Sequence, residues 1–367
     1  MFFNTDEPGE PVQADPKPIM EIAPAPNSSI FAPRWNVKVP STLREPLDAP
    51  GRPEAHSNFV EGMSALCGDI PVEEGEEWRW KKLLNFYHNC IRHSDRVLGS
   101  VLNQLDALGM TEDTIIVLTS DHGELGGAHG MVDKGPTAYK EQNHVPLIVC
   151  HPGFPATHNQ TVNALTSHVD LAPSLVEWAA PDKSTLKQAS AGLLGHSLTP
   201  LLRKGSAARL HEIREGTLYC FSMLAFVDSE LMRSAQEFLL EGGREQDMWM
   251  ASTSPDLSKR GAVRSVFNGR YKFNRYFSPL DSHTPDTLEE ILEKSDMELF
   301  DLRTDPEERH NLAAGVTSAA SKNADLVLKM NALLNKLLET EVGIPDDARW
   351  LPVDVGMINW NISTFDV

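Results

Sequence analysis

The apolar residues of this chain change their spacing several times, and each change predicts a different element. Residues 78–109 carry apolar side chains at helical spacing, and Gly109 suits the end of a helix. Residues 114–120 (TIIVLTS) and 145–150 (VPLIVC) are short and apolar, a pattern typical of strands covered on both faces. Residues 167–180 are helical again. Together these elements predict an α/β fold with a mostly parallel sheet flanked by helices.

The pattern changes again beyond about residue 205. Residues 216–227 and 261–277 cluster β-forming side chains, and the Asn-Gly pair at 268–269 is a good hairpin turn. Residues 321–341 form an amphipathic helical pattern. We therefore expect two units: residues 1–205 as an α/β domain, and residues 206–367 as a smaller α+β subdomain with an antiparallel sheet and a helix.

Charge and composition restrict the classes of partner. The chain has 367 residues, 41% of them hydrophobic, which is enough for a sizeable core. Its 33 basic and 52 acidic residues give a net charge of −19, so neither nucleic acid nor an anionic membrane is an expected partner. No apolar run approaches the roughly 20 residues of a membrane span. The composition does not fix the oligomeric state.

The four cysteines and the first residues bear on the compartment. The cysteines lie far apart and form no C-x-x-C pair, so we expect free thiols of a reducing compartment. The start, MFFNTDEPGEP, lacks the basic and apolar regions of a signal peptide. A cytoplasmic location is the default expectation, although the compartment stays open.

The densest cluster of chemically useful residues follows the first predicted strand, in SDHGELGGAHGMVDK (120–134). Ligands of parallel α/β sheets bind beyond the carboxyl ends of the strands, where Asp121 and His122 are expected. A carboxylate there suits a hard divalent cation such as calcium or magnesium. Lys134, thirteen positions after Asp121, could bring a positive charge to the same place. A cation and a lysine together suit an ester of sulfate or phosphate. The alternative is a polar turn in which Asp121 caps the backbone and His122 is solvated.

Six segments in serial order resemble the sulfatases of the alkaline-phosphatase superfamily. The segments are DALGMTEDTIIVLTSDHGELGGAHGMVDKG, NHVPLIVCHPG, SHVDLAPSLVEWA, GHSLTPLL, VRSVFNGRYKF and ELFDLRTDPEERHNLA. The resemblance covers roughly residues 78–315. It implies an alkaline-phosphatase-like fold, N-terminally incomplete in this chain, for the first unit.

The resemblance also implies roles for individual residues. Asp121 matches the aspartate that binds one calcium ion, and His122 matches a position that touches both the metal and the ester oxygen. Lys134 matches the lysine that holds the sulfate, so a small sulfate ester is the implied substrate. We expect His129 to pack the loop or to support the residues that touch the ligand, the alternative being a contact to the substrate. We expect Glu124 to be a solvated turn residue, the alternative being a general acid.

The nucleophile of the family does not occur in these residues. Sulfatases use a formylglycine made from C-x-P-x-R or S-x-P-x-R, and none of the 367 residues fits either pattern. The two N-terminal metal aspartates of the family are also missing, so we assign no catalytic residue and expect an incomplete metal site. By resemblance the chain is a sulfuric ester hydrolase that is inactive alone. The alternatives are a non-catalytic remnant or pseudoenzyme, and a phosphodiesterase or phosphonate hydrolase of the same superfamily.

Overall fold

The computed structural model describes residues 32–222, 228–244, 256–281 and 283–342. Its helices are α1 (Glu54–Cys67), α2 (Glu77–Ala107), α3 (Lys140–Asn143), α4 (Leu171–Ala179), α5 (Lys183–Ala189), α6 (Thr199–Lys204), α7 (Ser229–Leu240), α8 (Leu288–Lys294) and α9 (Ala324–Glu341). Its strands are β1 (Ile116–Thr119), β2 (Leu147–Cys150), β3 (Thr217–Phe221), β4 (Ala262–Phe267), β5 (Tyr271–Phe277) and β6 (Ser295–Asp301). None of these helices is long and apolar enough to cross a membrane.

The long helix α2 confirms the helical pattern of residues 78–109. It ends at Ala107, and Gly109 adopts φ +65°, the left-handed conformation that commonly follows a helix and that glycine adopts without strain. Trp80 anchors one face of the helix: its side chain is buried, and its indole N–H donates to the Pro71 carbonyl at 2.8 Å. Since Trp80 also lies beside Gly127, α2 supports the loop that follows β1.

The strands β1 and β2 form where the sequence predicts them, but their pairing and burial differ from expectation. They pair antiparallel, with Ile116 opposite Cys150 and Thr119 opposite Leu147. The connection between them contains the 3₁₀ turn Ala128–Gly130 and the four-residue α3, rather than the crossover helix that usually joins parallel neighbours. Within the described residues this sheet has two strands. The residues of β1 are only partly buried and Ile148 is 57% exposed, which shows that the sheet is not covered on both faces.

The C-terminal sheet confirms the predicted antiparallel unit with a helix. Its strand order is β3-β4-β5-β6, and every neighbouring pair is antiparallel. The Asn-Gly turn joins β4 to β5, with Gly269 at φ +89°. Helix α9 packs against one face, where Val266, Phe273, Val327 and Leu334 are completely buried in one cluster.

The other face of this sheet contacts the loop region between β1 and β2. The Tyr139 hydroxyl, in that loop, donates to Glu298 of β6 at 2.8 Å. The Tyr276 hydroxyl of β5 donates to the second oxygen of Glu298 at 2.7 Å and lies 3.0 Å from His56 Nε2 in α1. The C-terminal sheet therefore fixes the position of the loop that carries the candidate site residues.

Candidate functional site

Asp121 lies at the carboxyl end of β1 and is open to solvent. Its side chain is 84% exposed, and one carboxylate oxygen accepts the His122 backbone N–H at 3.0 Å. That hydrogen bond, followed by the nearby His122 ring, lowers the pKa of the Asp121 carboxyl below its ordinary value. Asp121 therefore presents an ionised carboxylate to solvent, as a cation ligand requires.

His122 is oriented by the backbone of the same turn. Its Nδ1 lies 2.8 Å from the Gly123 carbonyl oxygen, which can only accept, so Nδ1 carries the proton. Nε2 lies 3.4 Å from the Asp121 carboxylate. The structure thus brings Asp121 and His122 together, and Nε2 is the nitrogen that faces the Asp121 carboxylate.

Lys134 belongs to the same loop but has a different partner. Its side chain is 41% exposed, and its Nζ lies 3.3 Å from Asp133 Oδ1. The Leu125 N–H donates to the Asp133 carbonyl at 3.0 Å, which ties the Lys134 end of the loop to the turn after Asp121. The structure therefore pairs Asp121 with His122 and Lys134 with Asp133. The joint use of Asp121, His122 and Lys134 by one ligand stays a prediction.

Glu124 is half-buried and holds two segments of this loop together, whereas the sequence predicted a solvated residue. Its Oε1 accepts the backbone N–H groups of Gly126 at 2.9 Å and Asp133 at 2.7 Å. Burial raises the pKa of the Glu124 carboxyl although both hydrogen bonds oppose the rise. This role could not be predicted from local spacing, because the two N–H groups converge only through the fold of the loop.

A glycine allows the loop to lie against the segment before β2. Gly123 donates its N–H to the Gln142 carbonyl at 2.7 Å, and a Cβ at Gly123 would lie 1.9 Å from the Glu141 carbonyl oxygen. Any side chain there would push the two segments apart. Gly123 therefore fixes the distance between the Asp121 turn and α3.

His129 lies inside the molecule, as its expected packing role requires. Its side chain is 0% exposed, and its ring stacks on Tyr139 with 3.6 Å between the ring centroids. Nδ1 lies 2.6 Å from Glu45 Oε2. Glu45, Glu141 and Glu308 surround this ring, and no motif in the sequence marks them as its neighbours. They are too far apart along the chain to form a spacing pattern.

Among the cavities on the surface of the described residues, two that have well-defined linings do not include Asp121, His122 or Lys134. One, of about 560 Å³, lies between α1, α2 and residues 43–48, and its lining includes Glu45, Trp80 and Met131. The other, of about 410 Å³, lies against α9 and is lined by His211, Asn268 and Lys336 among others. The candidate site at the end of β1 is thus an open surface in the described residues.

The sulfatase family model matches residues 43–181, which include α1, α2, β1, β2 and the entire loop between the two strands. Residues 43–181 therefore resemble a sulfatase domain. Asp121, His122 and Lys134 all lie inside the matched range. The match supports the family resemblance expected from the sequence motifs.

Individual proteins similar to this chain agree with the match. Arylsulfatase K of Bos taurus is 26% identical over 255 residues, covering 70% of this chain and 37% of that protein. Ulvan-active sulfatase of Formosa agariphila is 37% identical over 101 residues, covering 27% of this chain and 20% of that protein. The chain thus spans well under half of the length of either relative.

The fold comparison extends beyond the matched range. Phosphonate monoester hydrolase from Silicibacter pomeroyi superposes with a TM-score of 0.59 at 23% identity, covering 87% of this chain and 53% of that structure. This likeness concerns the fold, and it includes the region of the C-terminal sheet. The α/β class predicted from the sequence is confirmed, together with its C-terminal antiparallel sheet.

Proposed function

We propose that this sulfatase-family chain contributes the Asp121–His122 turn and Lys134 to a site for a sulfuric ester. The observation that carries the proposal is the family match over residues 43–181, with these three residues on one loop after β1. Both curated relatives described above are named as sulfatases, which supports sulfate over phosphate as the anion. We also propose the unit boundary near residue 205.

The charges on the loop suit an anionic ester only if they act together. Lys134 supplies a mobile ammonium group with three N–H donors, which can pair with a sulfate oxygen. Asp121 carries the opposite charge and would repel the ester unless a cation lies between them. His122 stands beside Asp121, and the lone pair on its Nε2 can assist in holding a cation; donation to the ester would require the doubly protonated ring. A cation-dependent affinity for the ester is therefore part of the proposal.

The described residues supply only part of the ligand set that the implied calcium ion requires. Calcium takes roughly 6–8 oxygen atoms, and Asp121 supplies two at most. Among the described residues, the group of three His and carboxylate side chains close enough to hold a metal does not include Asp121. These residues do not complete a calcium site, so we assign no chemical step to the metal and expect weak binding.

The 367 residues also contain no nucleophile for the covalent step that the family resemblance implies, because neither C-x-P-x-R nor S-x-P-x-R occurs among them. We therefore propose that these residues by themselves do not turn over sulfate esters. The assay is hydrolysis of 4-methylumbelliferyl sulfate by the purified chain with and without calcium. The expected rate is that of buffer. A calcium-dependent rate that Asp121→Ala or Lys134→Ala removes would contradict the proposed inactivity.

Binding tests the site independently of turnover. Isothermal titration of the same ester in the presence of calcium should give a weak affinity that Lys134→Ala and Asp121→Ala each reduce at least about 10-fold, the loss typical of a charge-assisted contact. Matched controls are Lys322→Ala and Asp113→Ala, which remove exposed charges elsewhere. Equal binding by all four variants would exclude this loop as the ester site. Tighter binding of a phenylphosphonate ester would favour the phosphonate alternative.

A further inference from the structure

The strongest unassigned cluster lies away from the Asp121 turn, around the buried ring of His129. A His129 nitrogen and carboxylate oxygens of Glu141 and Glu308 lie within 4.8 Å of one another. His129 and Glu308 are buried, and Glu141 is half-buried. His129 and Glu141 come from the loop between β1 and β2, whereas Glu308 follows β6. We infer that these three side chains bind a divalent cation of the zinc class that ties the loop to the C-terminal unit.

The orientation of the imidazole supports a metal ligand. Glu45 Oε2 lies 2.6 Å from Nδ1 and, as a carboxylate, accepts its proton. Nε2 then carries a lone pair, and it is completely buried with no hydrogen-bond partner among the described residues. A carboxylate that holds the far nitrogen of the ring is the usual arrangement behind a metal-bound histidine. Stacking on Tyr139 fixes the ring plane further.

The carboxylates have acceptor capacity left. Glu141 Oε2 is also buried without a hydrogen-bond partner in the described part of the chain, and its Oε1 lies 3.8 Å from Lys140 Nζ. Glu308 accepts from Lys272 Nζ at 2.6 Å and from the Lys140 N–H at 2.8 Å, one on each oxygen. Each oxygen has a second lone pair, so both carboxylates can still reach a cation.

The charge balance permits a cation but does not make it strongly favourable. Glu45, Glu141 and Glu308 bring three negative charges. Each has one cationic side chain nearby: Arg309 lies 3.8 Å from Glu45, Lys140 lies 3.8 Å from Glu141, and Lys272 lies 2.6 Å from Glu308. A buried lone pair and a buried carboxylate oxygen, both without donors, remain costly. A cation between them removes both costs at once, whereas calcium would gain little from the imidazole nitrogen.

The ligand set identifies the class of ion. One imidazole nitrogen and two carboxylates suit zinc and its neighbours among the transition metals. Around a tetrahedral zinc such atoms lie about 3.3 Å apart, so the cluster has to contract modestly on binding. Three protein ligands leave the fourth position to a water molecule. Glu141 is the partly exposed ligand, which gives the ion a route of entry.

The experiment uses the full 367-residue chain, stripped with a chelator and titrated with zinc or calcium. Metal content after dialysis should be one zinc per chain, and the melting temperature should rise by about 3–5 °C at saturating zinc. Glu141→Gln keeps the shape of the side chain and should abolish both effects. Glu339→Gln, which removes an exposed charge on α9, should leave both unchanged.

Two further arms separate this site from the proposed ester site. Asp121→Asn should retain zinc and the rise in melting temperature, because Asp121 is not a member of the cluster. Loss of zinc in Asp121→Asn would place the ion at the β1 turn and overturn the inference. An absence of bound zinc in the wild-type chain would also overturn it. An equal zinc-induced rise in melting temperature in Glu141→Gln would do the same, since a proton or a water molecule would then satisfy His129.

A spectroscopic arm applies if Glu141→Gln folds poorly. Cobalt replaces zinc in such sites, and an imidazole-bound, four-coordinate cobalt ion gives visible absorption bands. Wild-type chain and Glu339→Gln should both develop these bands with one equivalent of cobalt. His129→Gln, compared at a temperature where it is folded by circular dichroism, should not. Bands that persist in His129→Gln would exclude His129 as a ligand.

Discussion

The C-terminal sheet and the β1–β2 sheet have similarly apolar strands but very different burial. Val266 and Phe273, on β4 and β5, are completely buried beneath α9. Ile148 on β2 is 57% exposed, and the side chains of β1 are only partly buried. An apolar strand therefore becomes core only where a second layer covers it. Within the described residues, that layer exists for the C-terminal sheet and is partial for the other.

Helix α2 shows the same contrast on its own surface. Trp80 is buried against the loop after β1, whereas Ile91, Val97 and Val101 are each more than half exposed. Exposed apolar residues that cluster on one element commonly mark a contact surface. The first unit thus has an inner face that is packed and an outer face that is open to solvent. The C-terminal sheet has its core on one face and polar contacts to the loop on the other.

The sharpest test of this contrast is a pair of truncations in the two sheets. Phe273→Ala should lower the free energy of unfolding by about 4 kcal/mol, because it leaves a cavity in a packed core. Ile148→Ala should lower it by less than about 1 kcal/mol, since most of that side chain is already in water. Urea denaturation followed by circular dichroism measures both. Equal losses would show that the β1–β2 sheet is covered in solution.

A second test concerns the ion pair that joins the two regions. Asp170, at the start of α4, is completely buried, and its carboxylate accepts from Arg214 Nε at 2.9 Å and from the His196 N–H at 2.9 Å. Arg214 also donates to Glu341 of α9 at 2.8 Å. Asp170→Ala leaves a buried guanidinium short of a partner and should cost about 3 kcal/mol of unfolding free energy.

The matched control for Asp170 is Asp182→Ala. Asp182 is an exposed N-cap of α5 that accepts from two backbone N–H groups, so its loss should cost about 1 kcal/mol. Both variants are measured by the same urea denaturation. If Asp170→Ala cost no more than Asp182→Ala, the Arg214 pair would not couple the two regions energetically.

The smallest expected effect is a pH dependence of the free energy of unfolding that arises from Glu124, in the loop after β1. Burial raises the pKa of the Glu124 carboxyl above its ordinary value. A carboxyl with a raised folded-state pKa contributes stability below the unfolded-state pKa, and this contribution is lost as the pH rises through the folded-state pKa. Glu124→Gln keeps an oxygen for the two backbone N–H groups but cannot ionise. Its stability relative to wild type should therefore increase as the pH rises from about 4 to 7.

Glu112→Gln provides the control for Glu124, because Glu112 is exposed in the turn before β1. Its stability difference from wild type should stay flat across the same pH range in urea titrations. A flat profile for Glu124→Gln as well would mean that the loop opens enough to solvate this carboxylate.

Local sequence predicted the elements well where one pattern dominates. The helical spacing of residues 78–109 and the Asn-Gly turn at 268–269 correspond to α2 and to the β4–β5 hairpin. The antiparallel pairing of β1 with β2 was not predicted, because strand composition carries no information about which neighbour a strand meets. The role of Glu124 was missed for a related reason: its partners are backbone groups, which every residue has.

The sequence by itself determined the resemblance to the sulfatases, the helices and strands, and the placement of Asp121, His122 and Lys134 on one loop, because these depend on local spacing and serial order. Only the tertiary structure decided which side chains are covered, that Lys134 lies against Asp133, and that His129 meets Glu45, Glu141 and Glu308. Those facts depend on contacts between segments up to 263 positions apart along the chain, from Glu45 to Glu308. Burial and coordination arise from such contacts, and no local pattern encodes them.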